Sequence, residues 1–327
     1  MEGFNRRDAL AAFLLGAAAV APLSVFAEGS YPARPLRMVV PFSAGGGTDV
    51  VARALARTLS ERLKQPVVID NRAGAGSTIG TEAVARSPAD GYTLLFASAA
   101  YSFAPAVYGN LPYRPEDLTA VAVVNSTPLM LTVNPSVPAR DARAFIELLK
   151  TQPGRFSYAS SGVGTTLHIA AEHFLRSAGV KAQHIPYKGE APAMNDLLSG
   201  QVAFMVGQAS SAVQYVKSGK LIGLGVTTPK RLASLPEMPT LAEAAIPGFS
   251  AYGWNAVLVP KGTPRAVIER LNREITAAVG SSQLQKTFDD LGLDRLEPMT
   301  PEGAAAFIVA ETNKWRPVIQ GAGIKGE

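Results

Sequence analysis

The sequence predicts an α/β fold of mainly parallel sheets with helices on both faces, and three observations carry that expectation. Short apolar runs of strand length alternate with longer patterns of helical period along nearly the whole chain. The helical patterns keep a four-residue apolar spacing, as at Val51, Leu55, Leu59 and Leu63. Two strand-to-helix junctions are loops of small and hydroxyl residues, 41–49 and 159–168.

Residues 1–27 read as an export leader rather than part of the fold. Arg6 and Arg7 precede an uncharged stretch at 9–27, and Val25-Phe26-Ala27 supplies small residues at both positions of an A-x-A-like cleavage site. Cleavage after Ala27 is expected. The arginine pair suits twin-arginine export, and the general secretory route fits equally. A membrane anchor fits less well, because the apolar run is short for a span and ends in the processing site.

The first strand is expected at 36–41, followed by the helix that carries Val51 to Leu63. A second strand at 67–70 enters a glycine-rich loop at 71–78, a short helix near 79–86 follows, and Asp90-Gly91 turns the chain into a strand at 92–97. Apolar runs at 118–124 and 129–133 are separated by Asn125-Ser126-Thr127-Pro128, a polar break that reads as a hinge. Beyond it come a helix at 141–151, a strand at 156–159, a helix at 165–178, a strand at 202–206, a helix at 210–218 and a strand at 221–227. A last strand at 255–259 precedes long helices at 264–279 and 301–320. Two such runs of strands and helices imply two lobes.

In the first loop, Gly45, Gly46 and Gly47 let the backbone approach a ligand, and the N–H groups opening the next helix favour an anion. The spacing matches neither a Walker A loop nor a dinucleotide fingerprint, so a small carboxylate is the simpler guest. The second loop offers Ser160, Gly162, Gly164, Thr165 and Thr166 before another helix, although Thr165 also reads as an ordinary N-cap. Loops on two lobes suit a ligand clamped between them at the carboxyl ends of the strands.

Composition narrows the function. The net charge is +5 with dispersed charges, so nucleic acid is not an expected partner and an anionic solute is mildly favoured. There is no cysteine, which excludes disulfides, a thiol nucleophile and thiolate metal sites. No cofactor and no metal are expected. The Gly-x-Ser-x-Gly elbow of a serine hydrolase is missing, and His168, His173 and His184 read as structural histidines, so catalysis is not expected. Asp49 reads as a residue that stabilises the first turn of its helix through the macrodipole.

Several segments together resemble the Bug family, the substrate-binding proteins of tripartite tricarboxylate transporters. They include Tyr31-Pro32, the loop from Pro41 to Asp49, Asp70-Asn71-Arg72-Ala73-Gly74-Ala75-Gly76, Pro88-Ala89-Asp90-Gly91-Tyr92, and Leu111-Pro112-Tyr113. The match continues at Val133-Asn134-Pro135-Ser136, Ile185-Pro186-Tyr187-Lys188-Gly189, Gly200-Gln201-Val202, 235–240 and Ala322-Gly323-Ile324-Lys325. The resemblance implies a two-lobed periplasmic binding protein fold of type II with two interlobe crossings. Lobe one would comprise residues 28–126 and 253–327, and lobe two residues 127–252.

It further implies a periplasmic, monomeric receptor that passes a small carboxylate to membrane permease subunits. A sensor feeding a signalling partner and an exported hydrolase are the alternatives. The ligand-facing positions implied are Phe42, Ala44, Gly45, Gly46, Gly47, Thr48, Ser98, Tyr101, Ser160, Gly162, Gly164, Thr165, Thr166 and Gly207. Relatives often carry Asp where this chain has Ala203 and Gly207, and that loss of acid disfavours an amino-acid ligand. A simple or aromatic carboxylate is favoured instead, and Val163, Ala99, Ala100 and Phe103 suggest a less polar cleft wall and an apolar ligand body.

Overall fold

A computed structural model describes residues 31–327 except Ala233, Arg295 and Glu327. The expected leader and its cleavage site therefore lie outside the described residues. In chain order the regular elements are β1 (Leu36–Val40), α1 (Gly47–Leu63), β2 (Val67–Asn71), α2 (Thr78–Ala85), β3 (Thr93–Ser98), α3 (Ala100–Val107) and β4 (Leu118–Val133). Then follow α4 (Ala142–Thr151), β5 (Ser157–Ser160), α5 (Thr166–Ala178), β6 (Gln183–Pro186), α6 (Glu190–Ser199), β7 (Phe204–Gln208), α7 (Ala209–Lys217) and β8 (Ile222–Val226). The chain closes with α8 (Leu241–Ala244), β9 (Tyr252–Pro260), α9 (Arg265–Val279), α10 (Ser282–Leu291) and α11 (Pro301–Gly321).

The strands lie in the order β2-β1-β3-β9-β4-β7-β5-β6, with β8 also paired to β4. The parallel pairs expected from strand–helix alternation are present: β1 with β2 and β3, and β5 with β6 and β7. The centre is antiparallel, because β9 returns against β3 and β4, and β4 also pairs β7 and β8. The sheet is therefore mixed.

The polar segment Asn125-Ser126-Thr127-Pro128 does not interrupt the chain into two strands. It continues inside β4, because its backbone pairs with β9 through Asn125↔Asn255, Ser126↔Trp254, Thr127↔Gly253 and Pro128↔Tyr252. Its side chains are partly satisfied: Asn125 Nδ2 donates to Ser126 O at 3.0 Å and to Thr127 Oγ1 at 3.1 Å, while Asn125 Oδ1 is buried without a partner. These bonds and the backbone pairing with β9 offset part of the cost of burying polar groups in this strand. β4 thus runs from one half of the sheet, on β9, to the other, on β7 and β8.

The core follows the apolar spacing. Val51, Leu55, Leu59 and Leu63 are all buried on the face of α1. In the other half Phe145 of α4, Phe174 of α5 and Phe204 of β7 meet, with ring centroids 5.0 Å apart for Phe145–Phe204 and 6.5 Å for Phe145–Phe174. Burial of such rings is the main stabilising contribution here, roughly 1.5–3 kcal/mol each. The α11 helix packs on α3 and β4, where Trp315 meets Phe103 at 5.8 Å. No helix among the described residues is long and apolar enough to cross a membrane.

Candidate functional site

Three strands, β1, β5 and β7, end at the same place, and each is followed by a helix whose N-terminus faces the others. After β1, Gly45 takes a left-handed φ of 83° and α1 opens at Gly47 with no side-chain cap from Gly46. Asp49, in the first turn, ties down the loop that precedes the helix. Its Oδ2 accepts from Gly45 N at 2.9 Å and Arg53 Nε at 2.8 Å, and its Oδ1 from Asn71 Nδ2 at 2.8 Å. Burial alone would raise the Asp49 pKa, but these bonds hold it below the usual value. Asp49 therefore binds the loop to β2 by direct hydrogen bonds, a stronger role than the macrodipole effect expected.

After β5, the second loop is largely tied to itself. Thr165 Oγ1 donates to Gly162 O at 2.7 Å and accepts from Ser161 Oγ at 3.0 Å; Gly162 N donates to Ser160 Oγ at 3.1 Å, and Gly164 N to His168 Nδ1 at 3.1 Å. His168 and His184 stack with centroids 3.9 Å apart. Burial, and for His168 the neighbouring His184, pushes them down to about 3 and about 4. Ser160 Oγ lies 2.6 Å from His184 Nε2, but Ser160 is fully buried and its hydroxyl also bonds within the loop, so this pair lacks access for a substrate.

After β7, Gln208 Nε2 donates across to Thr48 Oγ1 at 3.0 Å. Glu190, the first residue of α6, completes the junction. Its Oε2 accepts from Gly47 N at 3.2 Å, and its Oε1 from Gln208 N at 2.6 Å and Ser211 Oγ at 2.7 Å. Glu190 is 3% exposed, and burial raises its pKa against the lowering effect of these donors. The anion-receptive N–H of Gly47 is thus already engaged by a carboxylate of the chain itself.

Around these groups is an inner cavity of about 20 Å³, room for about one water. Of the expected positions it is lined by Phe42, Gly46, Gly47, Thr48, Ser98 and Thr166. Ser161, Leu167, Glu190 and Gln208 complete it. Thr166 Oγ1 and Gln208 Oε1 are buried there without a hydrogen-bond partner. It adjoins an outer cavity of about 500 Å³ walled by Phe42, the loop at 74–77, Tyr108, Gly162, Val163 and Tyr187, with Lys188 and Lys325 also contributing.

The loops touch across this cavity. Tyr108 OH donates to Val163 O at 3.0 Å, and a Cβ on Gly76 (φ 58°) would lie 2.4 Å from that same carbonyl, so only glycine fits.

The remaining expected positions line neither cavity. Ala44 and Gly45 shape the first loop, while Ser160, Gly164 and Thr165 brace the second. Tyr101 donates to Pro115 O at 2.8 Å and stacks on Tyr113. Ala99, Ala100 and Phe103 are buried in the core rather than on the cleft wall; Val163 alone of the apolar set faces a cavity.

Neither Ala203 nor Gly207 brings an acid to the site, but Glu190 of α6 stands beside the second. Ala203 precedes the opposite end of β7, and a Cβ on Gly207 would lie 3.1 Å from Glu190 Oε1, so an acid from another element fills the place. Glu190 and Gln208 escaped the sequence reading because neither sits in a glycine loop. An acid opening the helix after Gly189, and a polar residue ending an apolar strand, were the available signals.

Residues 51–324 match the family model described as tripartite tricarboxylate transporter family receptor. The chain is 40% identical to protein BugT of Bordetella pertussis over 96% of both chains. The solved structure of periplasmic binding protein BugD superposes with a TM-score of 0.87 at 36% identity, covering 91% of this chain and 100% of that one. A structure from R. palustris with adipate also gives 0.87, at 34% identity over 90% of this chain and 99% of that one.

Proposed function

This chain belongs to the tripartite tricarboxylate transporter receptor family, whose members are binding proteins, and on that premise we propose that it clamps a small organic carboxylate between two lobes. Residues 28–126 and 253–327 form the first lobe, residues 127–252 the second, and β4 and β9 are the two crossings. The leader is removed after Ala27, and the mature protein works in the periplasm as a monomer without catalysing a reaction. It hands its ligand to the permease subunits of a tripartite transporter. The relative with adipate supports a carboxylate as the guest.

The observation that carries the reading is the junction of the two loops. Phe42, Thr48 and Ser98 come from one proposed lobe and Thr166 and Gln208 from the other, and all five line one cavity at the carboxyl ends of the strands. Mass spectrometry of the small molecules released by denaturing freshly purified exported protein tests it. A stoichiometric carboxylate that rebinds by calorimetry is expected. A protein that releases none, and binds none from a broad carboxylate panel, would overturn the reading.

A further inference from the structure

We infer that Tyr108 is a latch between the two halves of the sheet: its hydroxyl biases the cleft toward closure through a contact that needs no ligand, and the segment 324–326 keeps its ring in place. This rests on the two-lobe reading and adds to it a residue that sets how readily the lobes part.

The latch is one ring seated on backbone. Tyr108, at the end of α3, comes from the first proposed lobe, and Val163, in the loop after β5, comes from the second. Tyr108 OH donates to Val163 O at 3.0 Å, its only hydrogen bond among the described residues. The hydroxyl therefore does nothing for the fold of its own half. Its surroundings are shaped to let the two sides meet: a Cβ on Gly76 would collide with both the Tyr108 hydroxyl and Val163 O, and a Cβ on Gly164 would lie 2.7 Å from Val107 Cγ1. Both glycines take a left-handed φ, 58° and 73°. Donor and acceptor belong to the chain, so the bond forms whenever the halves meet. Burial raises the Tyr108 pKa, which keeps the phenol a donor at neutral pH.

The ring is supported from behind. At the end of α11 Gly323 takes a φ of 65°, its N–H donates to Gln320 O at 3.0 Å, and Ile324 N donates to Ile319 O at 3.3 Å. This turn sends the chain back toward α3. Ile324 is buried, Gly326 N donates to Val107 O at 2.9 Å, and a Cβ on Gly326 would overlap the Tyr108 ring.

Spin-label distances in the exported chain, freed of small molecules by unfolding and refolding, test the latch. The chain has no cysteine, so Val68→Cys and Gln183→Cys give unique attachment points. Both positions are exposed, on β2 and β6, the two ends of the strand order and so the strands farthest from the crossings β4 and β9. Pulsed dipolar spectroscopy of the labelled wild type is expected to resolve a long and a short distance. Tyr108→Phe, which keeps the ring, is expected to lower the short-to-long ratio by ~5-fold with the melting temperature unchanged. Gly326→Ala is expected to lower the ratio comparably, and to add little to Tyr108→Phe in the double variant. An unchanged ratio in Tyr108→Phe, or a wild type with the long distance alone, would overturn the inference and leave the carboxylate reading untouched, since no solute enters the experiment. Fully additive losses in the double variant would overturn the role of 324–326. A single short distance kept by every variant would show halves that do not part, and would remove the two-lobe reading together with the latch. If Tyr108→Phe does not fold, Gly326→Ala decides.

Discussion

Thr165 and Thr166 are adjacent hydroxyls with opposite surroundings. Thr165 is fully buried and bonded to Gly162 O and Ser161 Oγ, whereas Thr166 Oγ1 has no partner and its residue lines the inner cavity. Thr165→Val should therefore lower stability by about 1–3 kcal/mol, seen as an earlier denaturant midpoint. Thr166→Val should leave that midpoint unchanged and weaken ligand binding by calorimetry, by about 5- to 150-fold if the hydroxyl meets a charged group. Sequence spacing placed both threonines on the loop beside the inner cavity. It could not separate them, because which hydroxyl turns inward depends on the φ of 128° at Gly162 and the bond it receives from Thr165.

At the scale of elements, α1 and α7 meet N-terminus to N-terminus, and Gly47 permits it. A Cβ at Gly47 would lie 2.2 Å from Gln208 Oε1 and 2.8 Å from Ser210 Oγ. Gly47→Ala must displace the Gln208 amide and its bond to Thr48. The expected result is a loss of affinity of about 1 kcal/mol, ~5-fold, with little change in melting temperature, since each half of the sheet keeps its own core.

The β5–β6–α5 unit carries a second test. His168 and His184 are held neutral by burial, with pKa values near 3 and 4 against 6.5 for an ordinary imidazole. The unfolded chain therefore takes up protons first as pH falls. Their contribution is full above about pH 6.5 and is lost progressively toward pH 4, so urea midpoints should fall across that window. Replacing both by Gln should flatten the dependence, and a midpoint flat in the wild type would contradict the assignment.

These elements also mark how far the sequence could be read. Strands and helices with clear apolar period, such as β1, α1, α5 and α9, were legible. The helices α3, α6 and α10 and strand β6 were not: Pro105 inside α3 and Pro192 early in α6 are residues that signal a break, and a four-residue strand leaves too few repeats of its period. The continuity of β4 was hidden because its polar middle is paired with β9, more than a hundred residues away in the chain, as in the Thr127 Oγ1 bond to Asn255 Oδ1 with separation 128.

For the whole molecule, the halves of the sheet are linked by β4 and β9 and touch across the cleft through Gly47 to Glu190, Gln208 to Thr48 and Tyr108 to Val163. An inner cavity of about 20 Å³ marks a closed arrangement, too small to admit a solute without opening. A ligand that contacts both halves favours closure only by contacts it makes in that state. Small-angle scattering of the mature protein with and without the carboxylate recovered from it tests this most directly. The radius of gyration should fall on saturation to the value calculated from the closed structure, and an uncharged amide analogue should leave it unchanged. Stoichiometric carboxylate binding with no change from an open profile would mean that one half alone holds the ligand, and the clamp would be wrong.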